Sequence, residues 1–428
     1  GAKEFLFYFV LPILLVFLTE PLYRNTLFDK TLVDAPSMQK NKSLENFFEG
    51  VSLMGNKPLF PLALIVFNLT SKAKALYFII AFTFIYYLMT MLKELYNEPR
   101  PYWVSSEISA SCHLGFGNPS GHCFGATFVY FSIYLHYYHE VGQNNQIQKI
   151  FCTAHLIKMG LTTVMAIYFI FLALSRVYLG VHSYNQVLYG SLLGLVLAFC
   201  FHYYVKPLFT KLYLLLRAFE AQETPRKVTA YLGVATVGFL VLVWLPLALS
   251  YLVWKYKVNH PAIKDEWVRR IKLSCTGNDQ KEFEDTKFYF RSMVTSCIIC
   301  FGGGAFLGQI FELALIKVNI SQETWHHTHW IKTLLRIIIT FALVSIFLVP
   351  VNLLWTESDN HGLMKTFLFK YSVPYFLSGF FLFGFGRLIF YLLRLVNEEA
   401  LGRESIENKS YGDKDDNNFE EVELGEQP

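Results

Sequence analysis

Five basic side chains in two hydrophilic joints of a largely apolar chain, Lys93, Arg100, His122, Arg176 and His182, are of a kind and at intervals that suit reaction chemistry. The first joint, 93–122, opens Lys93-Glu-Leu-Tyr-Asn-Glu-Pro-Arg100-Pro101 and ends Pro119-Ser120-Gly121-His122; the second, 175–184, carries Ser175-Arg176 and then His182, with Gln186 four residues beyond. Lys93, Arg100 and Arg176 are the cations that a phosphate needs if so dense a charge is to sit in a membrane-embedded cleft. Arginine brings forked donors and lysine a point charge. Pro119 and Ser120 lead into an apolar run starting at 123, so the backbone N–H groups of Ser120 and Gly121 are expected at a helix N-terminus, a ready anion site. Glycine at 121 permits close backbone approach, and the Ser120 hydroxyl adds a donor or caps the helix. His122 and His182 can divide a displacement at phosphorus, because attack and departure occur on opposite sides. One helical turn after His182, the Gln186 carbonyl can accept the far ring N–H and fix the tautomer, but it lacks the negative charge with which an Asp would raise imidazole basicity.

These joints must be held by membrane helices. Of 428 residues 54% are hydrophobic and 16% charged, too apolar for an ordinary soluble domain. Continuous apolar runs of roughly 20 residues, the length that crosses a bilayer core, lie at 44–70, 75–92, 123–138, 158–174, 185–204, 229–253, 292–316, 332–354 and 366–393. The fold class expected is all-α and polytopic, with nine spans, or ten if the shorter run Phe5 to Thr19 also crosses. Strands are excluded because the runs do not alternate. Counting crossings puts both joints on one membrane face, as a shared site requires. The tail from Asn397 to Pro428 holds eleven acidic and three basic residues, against a net charge of +4 for the whole chain, and reads as solvated and disordered. The chain thus divides into an apolar N-terminal segment and polar linker (1–43), a core (44–205), C-terminal helices (206–396) and the acidic tail (397–428).

In order and spacing, K-x6-R-P, P-S-G-H and S-R-x5-H resemble the signature of the type 2 phosphatidic acid phosphatase (PAP2) superfamily, over roughly residues 44 to 205. The resemblance implies a haloperoxidase-like helical core. It also implies a phosphohistidine formed on His182, with His122 as acid and then base, and Lys93, Arg100 and Arg176 stabilising the equatorial oxygens. No metal or other cofactor is required. Many members carry Asp where this chain has Gln186; the glucose-6-phosphatase and dolichyl-diphosphatase branches look similar in carrying Gln. On this reading Gln186→Asp is expected to preserve substantial activity. Arg100-Pro101-Tyr102-Trp103, the approach from Cys112 through Gly117, and the number of spans look like the glucose-6-phosphatase branch, although Tyr and Trp at a helix end are also ordinary interface anchors. The expected substrate is a sugar phosphate such as glucose 6-phosphate. Alternatives are a lipid phosphate or dolichyl diphosphate, and a catalytically silent scaffold or transporter, against which the intact constellation argues. Expected partners are that substrate and membrane lipids, with no nucleic acid and an unknown partner for the tail. The resemblance places the active face in the lumen of the endoplasmic reticulum, where Asn41-Lys42-Ser43 would be a glycosylation acceptor.

Lesser features have plainer readings. Cys297-x-x-Cys300 lies in an apolar run and is expected to pack rather than react. Gly302 to Gly304 are expected to allow close helix packing. His326, His327 and His329 have the composition of a metal cluster but fall on the opposite face. The loop 255–290 reads as a lid or a solvated connector beside the active face.

Overall fold

The computed structural model describes residues 2–143, 151–219, 224–274, 285–315, 329–354 and 362–396, and among them it is helical with no strand. Eight helices are long and apolar enough to cross a membrane, or nine if one bent pair counts as a span. In chain order these and the shorter helices are α1 (Lys3–Gln39), the bent pair α2 (Glu45–Met54) and α3 (Leu59–Leu69), α4 (Lys72–Tyr96), the short α5 (Pro101–Val104), α6 (Gly121–Gln143) and α7 (Phe151–Tyr178). Then come α8 (Tyr184–Ala218), α9 (Thr224–Asn259), α10 (Asp265–Ser274), α11 (Asp285–Ser296), α12 (Ile299–Leu315), α13 (Trp330–Leu354) and α14 (Leu363–Leu392).

Helix α6, expected to be a span, is not among the eight. Its apolar residues Cys123, Phe124, Ala126, Phe128 and Val129 are buried against protein, so it can carry Ser, His and Tyr between them. The stretch 20–43, read from sequence as a polar linker, is different in space. The apolar run at 5–19 continues as one helix to Gln39, with Glu20 and Thr31 fully buried. Their polarity faces protein rather than water. The acidic tail 397–428 and His326 and His327 lie outside the described residues.

Two ends of the bundle are tied differently. At one end Gln39 stitches the two joints together: its Nε2 donates to the carbonyls of Ser109 (2.7 Å) and Tyr178 (2.8 Å), and its Oε1 accepts from the Ser109 N–H (3.0 Å). The expectation that both joints share a face therefore holds. At the other end Lys72, the first residue of α4, pairs with Glu312 near the end of α12 at 2.8 Å. The C-terminal helices α12 and α14 approach at backbone distance. A Cβ on Gly304 would lie 2.1 Å from the Phe376 carbonyl oxygen, and one on Gly379 2.1 Å from that of Phe301, as the close-packing reading of the glycine run expects. Cys297 and Cys300 are free, buried thiols.

Candidate active site

Local sequence shapes each joint. Asn97 closes α4 in the left-handed conformation (φ 50°), its N–H donating to the Lys93 carbonyl at 3.1 Å, and this turns the chain out of the helix so that Arg100 faces back across it. Pro101 then starts α5, where its missing N–H costs nothing. In the second joint Ser183 caps α8 in a capping box with Gln186, which brings the Gln186 side chain back beside His182.

The three motifs converge. Arg100 donates from Nε to the Gly115 carbonyl (2.9 Å) and from Nη1 to the Val181 carbonyl (2.8 Å), and Nη1 also stands 3.2 Å from His182 Nε2. On the far side of the ring, His182 Nδ1 is 3.1 Å from Gln186 Oε1. An amide oxygen only accepts and a guanidinium only donates, so the ring carries its proton on Nδ1 and directs the Nε2 lone pair toward the cations. Lys93 Nζ reaches the Phe116 carbonyl at 3.1 Å, and Arg176 donates from Nη1 to Ser52 Oγ. Arg176 Nε and Nη2 and the Ser120 hydroxyl are buried with no hydrogen-bond partner. Buried donors left without a partner are what a bound anion would satisfy. His122 is an electrostatic neighbour of His182, Arg176, Lys93 and Arg100.

Burial holds His182 well below the usual imidazole range, with Arg100, Lys93 and Arg176 adding to the effect, which favours the neutral ring. One expectation changes. The Ser120 N–H, expected to point at a phosphate, instead donates to the Gln186 carbonyl at 3.0 Å, which leaves the hydroxyl as the part of Ser120 available to a ligand. Gly121 begins α6 as expected.

Sequence reasoning passed over several residues. His113 stands on the same loop, beside the same cations, and burial pushes it down to about 3. Glu98 lies inside K-x6-R-P and is buried behind His182, where it accepts from Asn118 Nδ2 (2.8 Å), Asn185 Nδ2 (2.6 Å) and Gln186 Nε2 (2.9 Å). Asn118 also donates to Glu20 of α1 at 2.8 Å, and Glu20 pairs with Arg24. The available signal was Glu20 at the end of an apolar run, an acid that is costly in a membrane unless it holds something in place. Gly117 is required by this cluster: a Cβ there would lie 2.4 Å from both polar atoms of the Gln186 amide.

Over this end of the bundle sits an aromatic cap. Trp103 is fully buried, within ring-packing distance of Phe116 (6.0 Å), Trp267 of α10 (6.2 Å) and Phe288 of α11 (5.9 Å). Tyr289 fixes the approach to α10 by accepting from the N–H groups of Ala262 (2.8 Å) and Ile263 (3.2 Å). Tyr102 and Trp103 are therefore not interface anchors, and the loop 255–290 supplies a folded cap where it is described. Cys112, on the joint beneath, is disulfide-bonded.

Among the described residues no group of three or more His, Cys, Asp or Glu is placed to hold a metal ion. A cavity of about 320 Å³ lined by Lys74, His136, Ser132 and Lys206 lies toward the opposite end, apart from His182. In comparison with known proteins, residues 74–209 match the PAP2 superfamily, a stretch that contains Lys93, Arg100, His122, Arg176, His182 and Gln186. No curated protein and no solved structure matches the chain.

Proposed function

Taking residues 74–209 as a PAP2 superfamily domain in a multi-pass membrane protein, we propose that the protein hydrolyses a phosphomonoester through a phosphohistidine on His182. The observation that carries this reading is the polarity of that ring: Nδ1 toward the Gln186 carbonyl, Nε2 toward Arg100, with Lys93 and Arg176 as electrostatic neighbours. The Nε2 lone pair forms the P–N bond as the P–O bond to the leaving group breaks, and His122, which burial and the cations hold neutral and which takes up a proton once the bound phosphate offsets those cations, gives that oxygen its proton. Lys93, Arg100, Arg176 and the Ser120 hydroxyl stabilise the charge spread over the equatorial oxygens. Water then attacks phosphorus, its proton passes to His122, the P–N bond breaks, and free phosphate and neutral His182 are left. The sum is ester plus water giving alcohol plus phosphate.

The substrate proposed is a sugar phosphate such as glucose 6-phosphate. A folded extramembrane cap over the site, delivered by the C-terminal helices, supports a ligand arriving from water. A lipid phosphate or dolichyl diphosphate would need the same phosphate pocket with a lateral path from the bilayer. The active face is proposed to be the lumen of the endoplasmic reticulum. The Cys112 disulfide belongs to an oxidising compartment, and the exposed acceptor Asn41-Lys42-Ser43 lies at the same end.

Purified protein assayed against glucose 6-phosphate, phosphatidic acid, sphingosine 1-phosphate and dolichyl diphosphate tests the reading. Phosphate release should be insensitive to chelators and competitively inhibited by vanadate, which adopts the five-coordinate geometry of the transfer. A strict requirement for added Mg²⁺ or Zn²⁺, or turnover surviving in His182→Ala, would refute it.

A further inference from the structure

We infer that Glu98 is a positioning residue for the nucleophile: through the Gln186 amide it locks His182 in the Nδ1–H tautomer and supplies the negative charge that the amide lacks. This rests on His182 being the nucleophile of the proposed reaction.

An amide beside an imidazole is ambiguous. Rotated by half a turn, Gln186 would present N–H to Nδ1, drive the ring proton to Nε2 and remove the lone pair from the phosphate side. Two acceptors on the opposite side forbid that rotation: Gln186 Nε2 donates to Glu98 Oε1 at 2.9 Å and to the Pro99 carbonyl at 2.8 Å. Turned around, the amide oxygen would meet a carboxylate and a carbonyl with no proton between them. The carboxylate thus decides the tautomer two side chains away.

Each side-chain hydrogen-bond partner of Glu98, Asn118, Asn185 and Gln186, donates an amide N–H, the arrangement that favours a carboxylate over a protonated acid. Glu98 shares its nearest cation, Arg24, with Glu20. Arg24 grips Glu20 through Nε at 2.8 and 3.0 Å, whereas its approach to Glu98 Oε2 is 3.9 Å. The Glu20–Arg24 pair is neutral and Glu98 remains, so one negative charge lies behind the ring against Lys93, Arg100 and Arg176 in front. In effect the acid that other members place next to the histidine has moved one side chain outward. The expectation that Gln186→Asp is well tolerated is thereby reversed, since a second carboxylate would face Glu98 where a donor is needed.

Glu98→Gln, isosteric with the native side chain, should lower kcat by roughly ten- to a hundred-fold with KM within about two-fold, measured on p-nitrophenyl phosphate and on the best substrate found. The charged or titratable groups facing Glu98 are Glu20, Tyr23, Arg24 and Tyr96; those facing His182 are Lys93, Arg100, Arg176 and His122. All are kept in this variant. Loss of the nearby negative charge therefore moves the acid-side inflection of kcat to lower pH, because the imidazolium is less favoured. Gln186→Glu should also be impaired, and the exchange Glu98→Gln with Gln186→Glu should exceed Gln186→Glu alone by about ten-fold, because a donor again faces a carboxylate. Recovery will be incomplete, since the Pro99 carbonyl loses its donor.

Solid-state ¹⁵N spectra of histidine-labelled protein, with the His182 signal identified by His182→Ala, give an answer independent of turnover. They should show Nδ1–H in the native protein and a mixed or reversed tautomer in Glu98→Gln. Native kcat, pH profile and tautomer in Glu98→Gln would overturn the inference. If the native protein hydrolyses nothing, the phosphatase reading fails while the spectra still decide the role of Glu98. If Glu98→Gln does not fold, the comparison of Gln186→Glu with the double variant decides it, equal activity of the two counting against the inference.

Discussion

The region around His182 and the contact between α12 and α14 are both close-packed membrane interiors built on glycine, yet glycine serves opposite purposes in them. At Gly117 the absent Cβ makes room for the Gln186 amide, a polar group that must point one way. At Gly304 and Gly379 it lets one backbone rest on another, with no side chain between. In the first region Glu20, Glu98, Asn118, Asn185 and Gln186 are buried and joined by hydrogen bonds between their side chains. In the second, association rests on dispersion over matched surfaces. A buried polar network fails when one donor or acceptor is wrong; an apolar contact fails when volume is wrong. The two regions should therefore break in different observables.

The largest effect is expected at the proposed nucleophile. His182→Ala should lose at least about a thousand-fold in turnover and all acid-labile phosphoenzyme, with melting temperature near native. Labelled phosphate retained by the variant would remove His182 from its role. Next comes Gly117→Ala, which displaces the Gln186 amide: turnover should fall roughly ten- to a hundred-fold with a modest drop in melting temperature. If activity and stability fall together in proportion, the contrast between the regions is lost.

Gly304→Ala or Gly379→Ala should do the reverse. Overpacking at these contacts is expected to cost about 1–3 kcal/mol in thermal or denaturant melts, with turnover per folded molecule unchanged. Cys112→Ser should destabilise by an amount of the same order, about 2–4 kcal/mol, and reductant should reproduce the loss in the native protein but not in the variant.

The smallest expected effect is on pH. His182 and His113 are both held below the ordinary imidazole range, His113 down to about 3. The unfolded chain therefore binds protons more readily, and the stability these groups contribute, complete above roughly pH 6.5, is lost as pH falls. Melting temperature should drop between pH 7 and 5, and the slope should be shallower in His113→Gln. An unchanged slope would show that His113 is not held neutral by the fold.

Much of the site was legible because its chemistry is local in type. A phosphate in a membrane demands permanent cations, and Lys93, Arg100 and Arg176 appear in short motifs with His122 and His182 at fixed offsets. Crossing arithmetic alone put both joints on one face, which the Gln39 contacts bear out. The Ser120 N–H was misjudged because a backbone donor near a helix start looks free until the partner helix supplies the Gln186 carbonyl.

What the sequence determined by itself was the helical, polytopic class and the set of candidate phosphate-binding groups, since hydropathy and residue type are properties of each segment alone. Only the tertiary structure decided the surroundings of that set. Thr19 looks like the end of an apolar run, but Glu20 continues the same helix because Asn118 and Arg24 are there to receive its carboxylate. Tyr102 and Trp103 look like interface residues, but Phe116, Trp267 and Phe288 bury them in a cap. Glu98 looks like a stray acid ahead of a proline until α8 brings Asn185 and Gln186 against it, 87 and 88 residues away in sequence. Burial and hydrogen-bond partnership are relations between distant segments. They are set by which helices meet, and no single stretch of the chain records them.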